Sequence, residues 1–358
     1  MASRMSRLAS FRAHSDGIDA RMGPLDLTAR RSGSLVDLPP RSGVSETMTR
    51  PHDGRCILIA GPTASGKSGL ALSFAERFGG VVINADSMQV YRELRILTAR
   101  PTREEELRAP HALYGFVNGS EAYSAGRYAA DAARAIADAR AQGRVPVVVG
   151  GTGLYFKVLL EGLSPVPPID PAVRARWRAE AAGRPTPELH AILAVRDPAM
   201  ASRLMPTDPQ RVVRALEVLD STGRSLADWQ AEQSTPVLRE EETVRLLVLP
   251  DRRTHAQEIE ARFDAMLAAG ALEEVRRLVS LELSQELPIM RALGVAPLAA
   301  HISGRLSLEE AAAVAKAETR QYAKRQMTWL KRNMIAWKTI DAQFLQRFDR
   351  DDLLFSDL

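Results

Sequence analysis

"LIAGPTASGKSGLALSFA", residues 58–75, decides the architecture. Its apolar start, glycine-bearing turn and apolar-periodic continuation read as strand, tight loop and helix. Gly61 to Ser68 carry the spacing G-x-x-x-x-G-K-[ST]. Gly61 and Gly66 let main-chain N–H groups converge on phosphate oxygens, with Pro62, Thr63, Ala64 and Ser65 completing the cradle. The N-terminus of the following helix adds partial positive charge. Lys67 supplies a full charge, and the Ser68 hydroxyl is the usual Mg2+ ligand. A bound phosphate follows from these residues, but its owner does not.

Outward from the loop, "CILIA" (56–60), "VVINAD" (81–86), "HALYGFV" (111–117) and "VPVVVGGTG" (145–153) are short apolar runs. They alternate with the helical "YSAGRYAADAARAIADARAQG" (123–143) and "LYFKVLLEG" (154–162). That alternation predicts an α/β fold, a P-loop NTPase-like parallel sheet flanked by helices on both faces. From Ser164 the texture changes: the proline-rich "SPVPPIDP" opens a series of short helices that ends near Arg239. We expect residues 54–163 and 240–345 to form the α/β core with C-terminal helices, and residues 164–239 a helical insertion. "TVRLLVLP" (243–250) returns to the sheet, and everything after it reads as helical. Residues 1–53, rich in Ser, Gly, Pro and Arg without an apolar period, read as a disordered extension.

The bulk numbers exclude several classes. The 358 residues contain no apolar run approaching the ~18 needed for a membrane span. The single cysteine, Cys56, rules out an intramolecular disulfide framework and a Cys-rich zinc site, and fits a reducing cytosol. The net charge of +4 suits a polyanionic partner without demanding one.

The loop alone favours ATP, yet "VPVVVGGTG" ends in Gly150, Gly151 and Thr152, with no acid to hold a metal's water shell. The acid stands instead at Asp86, after the strand that follows the loop helix. Asp86 could hold a metal water, or cap a following helix, since Gln89 stands three positions on. Its sharper reading is a carboxylate that binds an exocyclic amine or hydroxyl and takes its proton during attack.

Taken together, "GPTASGKS", "NADSMQVYRELRILTARPT", "EAYSAGRY", "VPVVVGGTGLYFKVLLEGLSP", "DPQRVVRALEV" and "TRQYAKRQMTWLKR" resemble the tRNA dimethylallyltransferase family, in that family's order and over roughly residues 55–340. The resemblance implies that the loop holds the diphosphate of dimethylallyl diphosphate with Mg2+, and that the acceptor is the N6 amine of the adenine on the 3′ side of the anticodon in tRNA. It implies catalytic roles for Asp86, Lys67, Thr63 and Arg262, the last near the diphosphate. It carries tRNA contacts onto Asp86, Ser87, Met88 and Gln89, onto Thr152 and Arg174, and onto Gln210, Arg211, Val212, Val213 and Arg214. Tyr155 and Trp229 are aromatic candidates for stacking on the base. The chain departs from the family pattern at Leu97, where glycine is usual, at Arg100, where lysine is usual, and at Glu258, where arginine is expected. Val295 and Ala296 replace an aromatic and a basic residue.

The final helix offers an independent signal for a nucleic acid. Lys316 to Lys338 holds seven basic residues and one acid, Glu318, with Lys316, Arg320 and Lys324 spaced as a stripe. Leu308, Ala312, Ala315, Tyr322 and Leu330 are expected on its apolar side. The expected partners are therefore tRNA and dimethylallyl diphosphate, with no membrane, for a cytoplasmic monomer. The competing readings are an ATP-dependent small-molecule kinase, a prenyltransferase acting on free adenine nucleotides, and an RNA-binding protein with a nucleotide switch.

Overall fold

The computed structural model describes residues 55–232 and 235–341. The expected extension at 1–53 and residues 342–345 of the expected C-terminal part lie outside the described residues. Strands β1 (Cys56–Ala60), β2 (Val81–Asn84), β3 (His111–Ala112), β4 (Pro146–Gly150), β5 (Thr243–Leu249) and β6 (Lys338–Asp341) form one sheet in the order β3-β2-β4-β1-β5-β6. Every pairing is parallel, with Ile57 opposite Val147 on one side of β1 and Val244 on the other.

Burial on both faces explains the unbroken apolar runs of β1 and β4. Alternate side chains of β1 enter different layers. Ile57 and Ile59 pack with Leu70 and Phe74 of α1 (Lys67–Phe78). Leu58 and Ala60 join the cluster on the opposite face. There α3 (Ala125–Ala141) contributes Ala132 and Ile136, and α4 (Gly153–Glu161) contributes Phe156 and Leu159, while α2 (Arg103–Arg108) buries no side chain and meets α1 through the Arg108–Glu76 pair. Each fully buried Ile or Leu contributes roughly 1.5–3 kcal/mol.

Five helices follow: α5 (Pro171–Gly183), α6 (Thr186–Arg196), α7 (Pro198–Ala201), α8 (Pro209–Thr222) and α9 (Leu226–Ala231). They pack around a separate apolar cluster that includes Trp177, Leu189, Leu193, Val212 and Leu216. Asp208 caps α8 by accepting the Arg211 N–H, Pro209 starts the helix, and Gly223 ends it in the left-handed conformation. The chain returns to the sheet where the Leu159 carbonyl accepts the N–H groups of Val237 and Leu238, both at 2.9 Å. After β5 come α10 (His255–Ala268), α11 (Ala271–Val279), α12 (Val295–Ile302) and α13 (Leu308–Asn333).

Three expectations need correction. "HALYGFV" contributes only His111–Ala112 to the sheet, because Leu113 and Gly115 turn the chain with φ of 64° and 57°. The segment after β5 is not wholly helical: "KTID" adds β6 beside β5. The buried side of α13 is Ala311, Ala315, Thr319, Ala323, Gln326 and Leu330, while Leu308 is exposed. The apolar spacing alone did not separate a face built of alanines and two polar residues from its neighbour.

Candidate active site

Since β1, β4 and β2 are neighbours in a parallel sheet, their carboxyl ends share one rim. The rim carries the phosphate loop after β1, Gly150–Thr152 after β4 and Asp86 after β2. The loop closes tightly: the Gly61 N–H reaches the Gly150 carbonyl at 3.3 Å, and the Lys67 ammonium donates to the Pro62 carbonyl at 3.0 Å. Gly66 stands before α1 with φ of 78°, a conformation that costs other residues about 1 kcal/mol or more. Ala64 does adopt it, at φ 57°, a strained residue of the kind that collects at ligand sites. The Ser65 hydroxyl is buried with no partner, a polar group inside the loop still lacking a hydrogen bond.

Asp86 is held from both sides. Its N–H donates to Asn84 Oδ1 at 2.8 Å, and Asn84 Nδ2 donates back to the Asp86 carbonyl at 2.9 Å. Asp86 Oδ1 accepts the Met88 N–H at 2.8 Å, which makes a turn and not the cap of a helix. The Thr152 hydroxyl accepts the Ser87 N–H at 3.0 Å, tying the rim of β4 to that of β2.

Two cavities open here. The larger, about 720 Å3, is lined by Ala64 to Ser68 together with Arg100, Arg103 and Tyr114. The smaller, about 300 Å3, is lined by Thr63, Asp86, Ser87, Met88, Tyr322 and Arg325 among others. Arg262 and Met266 line both. Thr63, on the wall of the smaller one, meets the shared Arg262 guanidinium with its hydroxyl, and His255 Nε2 donates to its carbonyl at 2.9 Å. Burial pulls the Lys67 ammonium down to about 8, with Asp86 holding it up and Arg262 pushing it lower. Burial likewise lowers Arg262, opposed by Asp86, and raises the Tyr322 phenol, with Asp86 adding to the rise. Lys67 after the loop, Arg262 of α10 and the Asp86 carboxylate beyond β2 thus share one electrostatic site.

The structure brings together Thr63 to Ser68, Asp86 to Met88, Thr152 and Arg262, while Gln89 faces the larger cavity instead. Gly61 and Pro62 are buried beneath the loop. Arg174, Gln210, Arg211 and Arg214 line neither cavity. Arg174, Gln210 and Arg211 are exposed on α5 and α8. Val212 is fully buried in the cluster of α5–α9, and Val213 packs partly against it, so Val212 presents no side chain to a partner. Arg211 pairs with Asp208 at 3.3 Å and Arg214 with Glu217 at 3.7 Å.

The basic stripe of α13 is also changed: Lys316 pairs with Asp264 at 2.6 Å and Arg320 with Glu260, both on α10. Tyr155 is buried and stacked on Tyr128, ring centroids 3.7 Å apart, and is removed as a base-stacking group. Trp229 donates its indole N–H to Thr222 and carries Arg224 over its face. Of the departures, Leu97 lines the smaller cavity, and Glu258 places an acid on the wall of the larger one.

Sequence reasoning missed Glu274 and Gln326. Glu274, on α11, accepts the N–H groups of Arg95, Ile96 and Leu97 at 2.7, 2.9 and 2.8 Å, fixing the loop that lines both cavities. Its signal was an acid among Ala271, Val275 and Leu278 on the apolar side of a short helix. Gln326, buried on α13, accepts the Thr63 N–H and donates to the Gly151 carbonyl, each at 2.9 Å.

Residues 89–333 match the family model described as IPP transferase. A tRNA dimethylallyltransferase of Parvibaculum lavamentivorans is 51% identical over 304 residues, covering 85% of this chain and 96% of that protein. One of Methylobacterium nodulans is 57% identical over 278 residues, 78% of this chain and 92% of that one. Among solved structures, a eukaryotic dimethylallyltransferase described as acting on tRNA superposes with a TM-score of 0.71 at 29% identity, covering 82% of this chain and 75% of that chain. The full-length tRNA isopentenylpyrophosphate transferase of Bacillus halodurans gives 0.58 at 31% identity, covering 81% and 90%. With a phosphate loop and a facing carboxylate on one sheet rim, and a family match across most of its length, this chain belongs to the IPP transferase family.

Proposed function

We propose that this protein transfers the dimethylallyl group of dimethylallyl diphosphate to the N6 amine of the adenine on the 3′ side of the anticodon, position 37 of tRNA, releasing diphosphate. The observation that carries this reading is a pair of neighbouring cavities with Arg262 and Met266 on the wall of both, one lined by the phosphate loop and the other by Asp86. A donor with its diphosphate on the loop would extend its allylic carbon past Arg262 toward Asp86.

In this reading the N6–C1 bond forms as the C1–O bond breaks, and the electron pair of that bond leaves with the diphosphate. The loop N–H groups, Lys67 and Arg262 oppose the negative charge gathering on the departing oxygens. Asp86, one oxygen of which is fixed by the Met88 N–H, orients the amine and takes its proton. The base enters from the side of Tyr322 and Arg325, taken out of its stack in the anticodon loop.

Mg2+ fits as a substrate-borne ion. Among the described residues no cluster of three His, Cys, Asp or Glu side chains is suited to a metal. The exposed Ser68 hydroxyl at the start of α1 faces the larger cavity and would share the ion with diphosphate oxygens. When bound, the ion supplies further charge neutralisation to the leaving group.

The exposed arginines of α5 and α8, Arg174 and Arg211, would meet tRNA phosphates together with Gln210 and Arg214. No helix among the described residues is long and apolar enough to cross a membrane. In the same reading the protein acts on tRNA as a cytoplasmic monomer.

Incubation with labelled dimethylallyl diphosphate, Mg2+ and either unmodified tRNA or AMP tests the reading. Label in tRNA with diphosphate release is expected. Label in AMP alone would reassign the acceptor, and phosphate release from ATP without prenyl transfer would favour a kinase.

A further inference from the structure

The phosphate loop and the Asp86 turn leave different strands and have no backbone hydrogen bond to each other. A continuous set of polar contacts nevertheless runs between them. The Thr63 N–H donates to Gln326 Oε1 at 2.9 Å, and Gln326 Nε2 donates to the Gly151 carbonyl at 2.9 Å. The next residue, Thr152, accepts the Ser87 N–H on its hydroxyl at 3.0 Å, directly beside Asp86. The orientation of the Gln326 amide is fixed by its partners, since a backbone N–H can only donate and a carbonyl can only accept.

We infer that Gln326 is a positioning residue that holds the leaving-group loop and the proton-accepting turn in one register. The inference rests on the transfer reading given above. Four observations bear on it. Gln326 is only 7% exposed, and both its partners belong to the rim, so its loss removes one buried hydrogen bond, to Gly151, and one half-buried one, from Thr63. Gly151 permits the contact: a Cβ there would stand 2.3 Å from Gln326 Nε2, so only glycine admits the amide without a shift. Thr63, whose N–H Gln326 holds, also directs its hydroxyl to Arg262, on the wall of both cavities. Tyr322, one turn earlier on the same helix, lines the acceptor-side cavity, so α13 spans both halves of the site.

Among uncharged side chains, a planar amide supplies the acceptor and the donor from one rigid group. A carboxylate supplies only the first. Gln326→Glu keeps size and shape and can still accept the Thr63 N–H, but turns an oxygen toward the Gly151 carbonyl unless that oxygen is protonated. A misplacement of a fraction of an ångström between donor carbon and nucleophile lowers turnover without abolishing binding, and ~10²-fold accompanies a shift of about 1 Å.

The test compares wild type, Gln326→Glu and Gln326→Met in kcat, in KM for dimethylallyl diphosphate and tRNA, in inorganic pyrophosphate binding by calorimetry, and in thermal midpoint. For folded Gln326→Glu we expect kcat to fall about 10–10²-fold at pH 8, with both KM values within about threefold of wild type. The ratio of its kcat to that of wild type should climb as pH falls toward 5, where protonation of the introduced carboxyl restores a donor. Gln326→Met, lacking both contacts, should show the loss without that pH dependence. If it fails to fold, the Gln326→Glu ratio alone decides. A kcat within twofold of wild type in folded Gln326→Glu, or a loss confined to KM, overturns the inference. Absence of transfer by the wild type would instead overturn the functional reading. The pyrophosphate arm then decides about Gln326: a slightly displaced loop should bind the ion about two- to threefold more weakly in both variants, in keeping with the nearly preserved KM, and binding equal to wild type removes the role.

Discussion

The sheet rim and the helices α5–α9 use polar residues in opposite ways. On the rim, Asn84, Thr152, Glu274 and Gln326 each bind the main chain of another segment, and Glu274 and Gln326 are buried while doing so. In α5–α9 the charges pair with one another. Asp220 takes Arg176 and Arg196 and accepts the Trp177 indole N–H at 2.8 Å, while Arg211 and Arg214 pair with Asp208 and Glu217. Side chain-to-backbone bonds in a buried rim fix positions, as chemistry at a single atom requires. The pair of exposed Arg211 with Asp208 is worth about 0–1 kcal/mol, and the buried Glu217 keeps Arg178 at 3.9 Å when Arg214 turns away, so both arginines can be given up to a phosphate at little cost. One region is built for placement, the other for exchange.

The largest expected effect belongs to the rim. Asp86→Ala should lose about 10²–10⁴-fold in kcat while dimethylallyl diphosphate still binds, read by single-turnover kinetics beside donor titration. Normal turnover would remove Asp86 from proton transfer and leave the rim as scaffold.

Next is Lys67. Lys67→Ala should weaken donor affinity about 10–10²-fold, as expected for losing one charge-assisted hydrogen bond to an anion. Because burial lowers its pKa from 10.5 to about 8, the folded protein gives up this proton before the unfolded chain does. That single group therefore makes stability rise with pH between about 8 and 10.5. Donor binding, which needs the ammonium, should weaken across the same window, and Lys67→Ala should lose that dependence. Donor affinity that stays flat from pH 7 to 10 in wild type would contradict this role.

Glu274→Gln tests placement without touching a ligand. It replaces a charged acceptor of three N–H groups by a neutral one that also carries two donors, and should cost roughly 2 kcal/mol in a urea titration. A midpoint unchanged from wild type would mean that the loop at 95–97 holds itself.

The smallest effects belong to the helices. Arg211→Ala and Arg214→Ala should each leave donor binding and thermal midpoint unchanged. Each should lower the slope of tRNA affinity against salt by about 0.7–1. A large loss of stability in either variant would show that these pairs hold the fold, and the contrast with the rim would fail.

Legibility in the sequence divided along the same line. The loop from Gly61 to Ser68 could be read because its function depends on residues adjacent in the chain, and Asp86 because it ends an apolar strand. Gln326 and His255 act on segments 263 and 192 residues away, so no local period or spacing announces them; Glu274 shows locally only as an acid on an apolar face, and its partners lie 177–179 residues away. The basic stripe on α13 misled for the same reason: spacing showed cations on one face, but not that Asp264 and Glu260 of α10 face Lys316 and Arg320. Val212 was grouped with its neighbours by motif, although the helical period turns it into the apolar cluster.

The chain order of apolar runs, glycines and one lysine determined a parallel sheet with a phosphate-binding turn, since strand burial and loop geometry depend on residues close in sequence. Only the tertiary structure decided that the turn after β1 and the acid after β2 share a rim across β4. It also decided that α10, α11 and α13 supply Arg262, Glu274 and Gln326 to that rim. Those placements depend on strand order and helix packing, set by the burial of whole faces, and no stretch of sequence encodes a whole face locally.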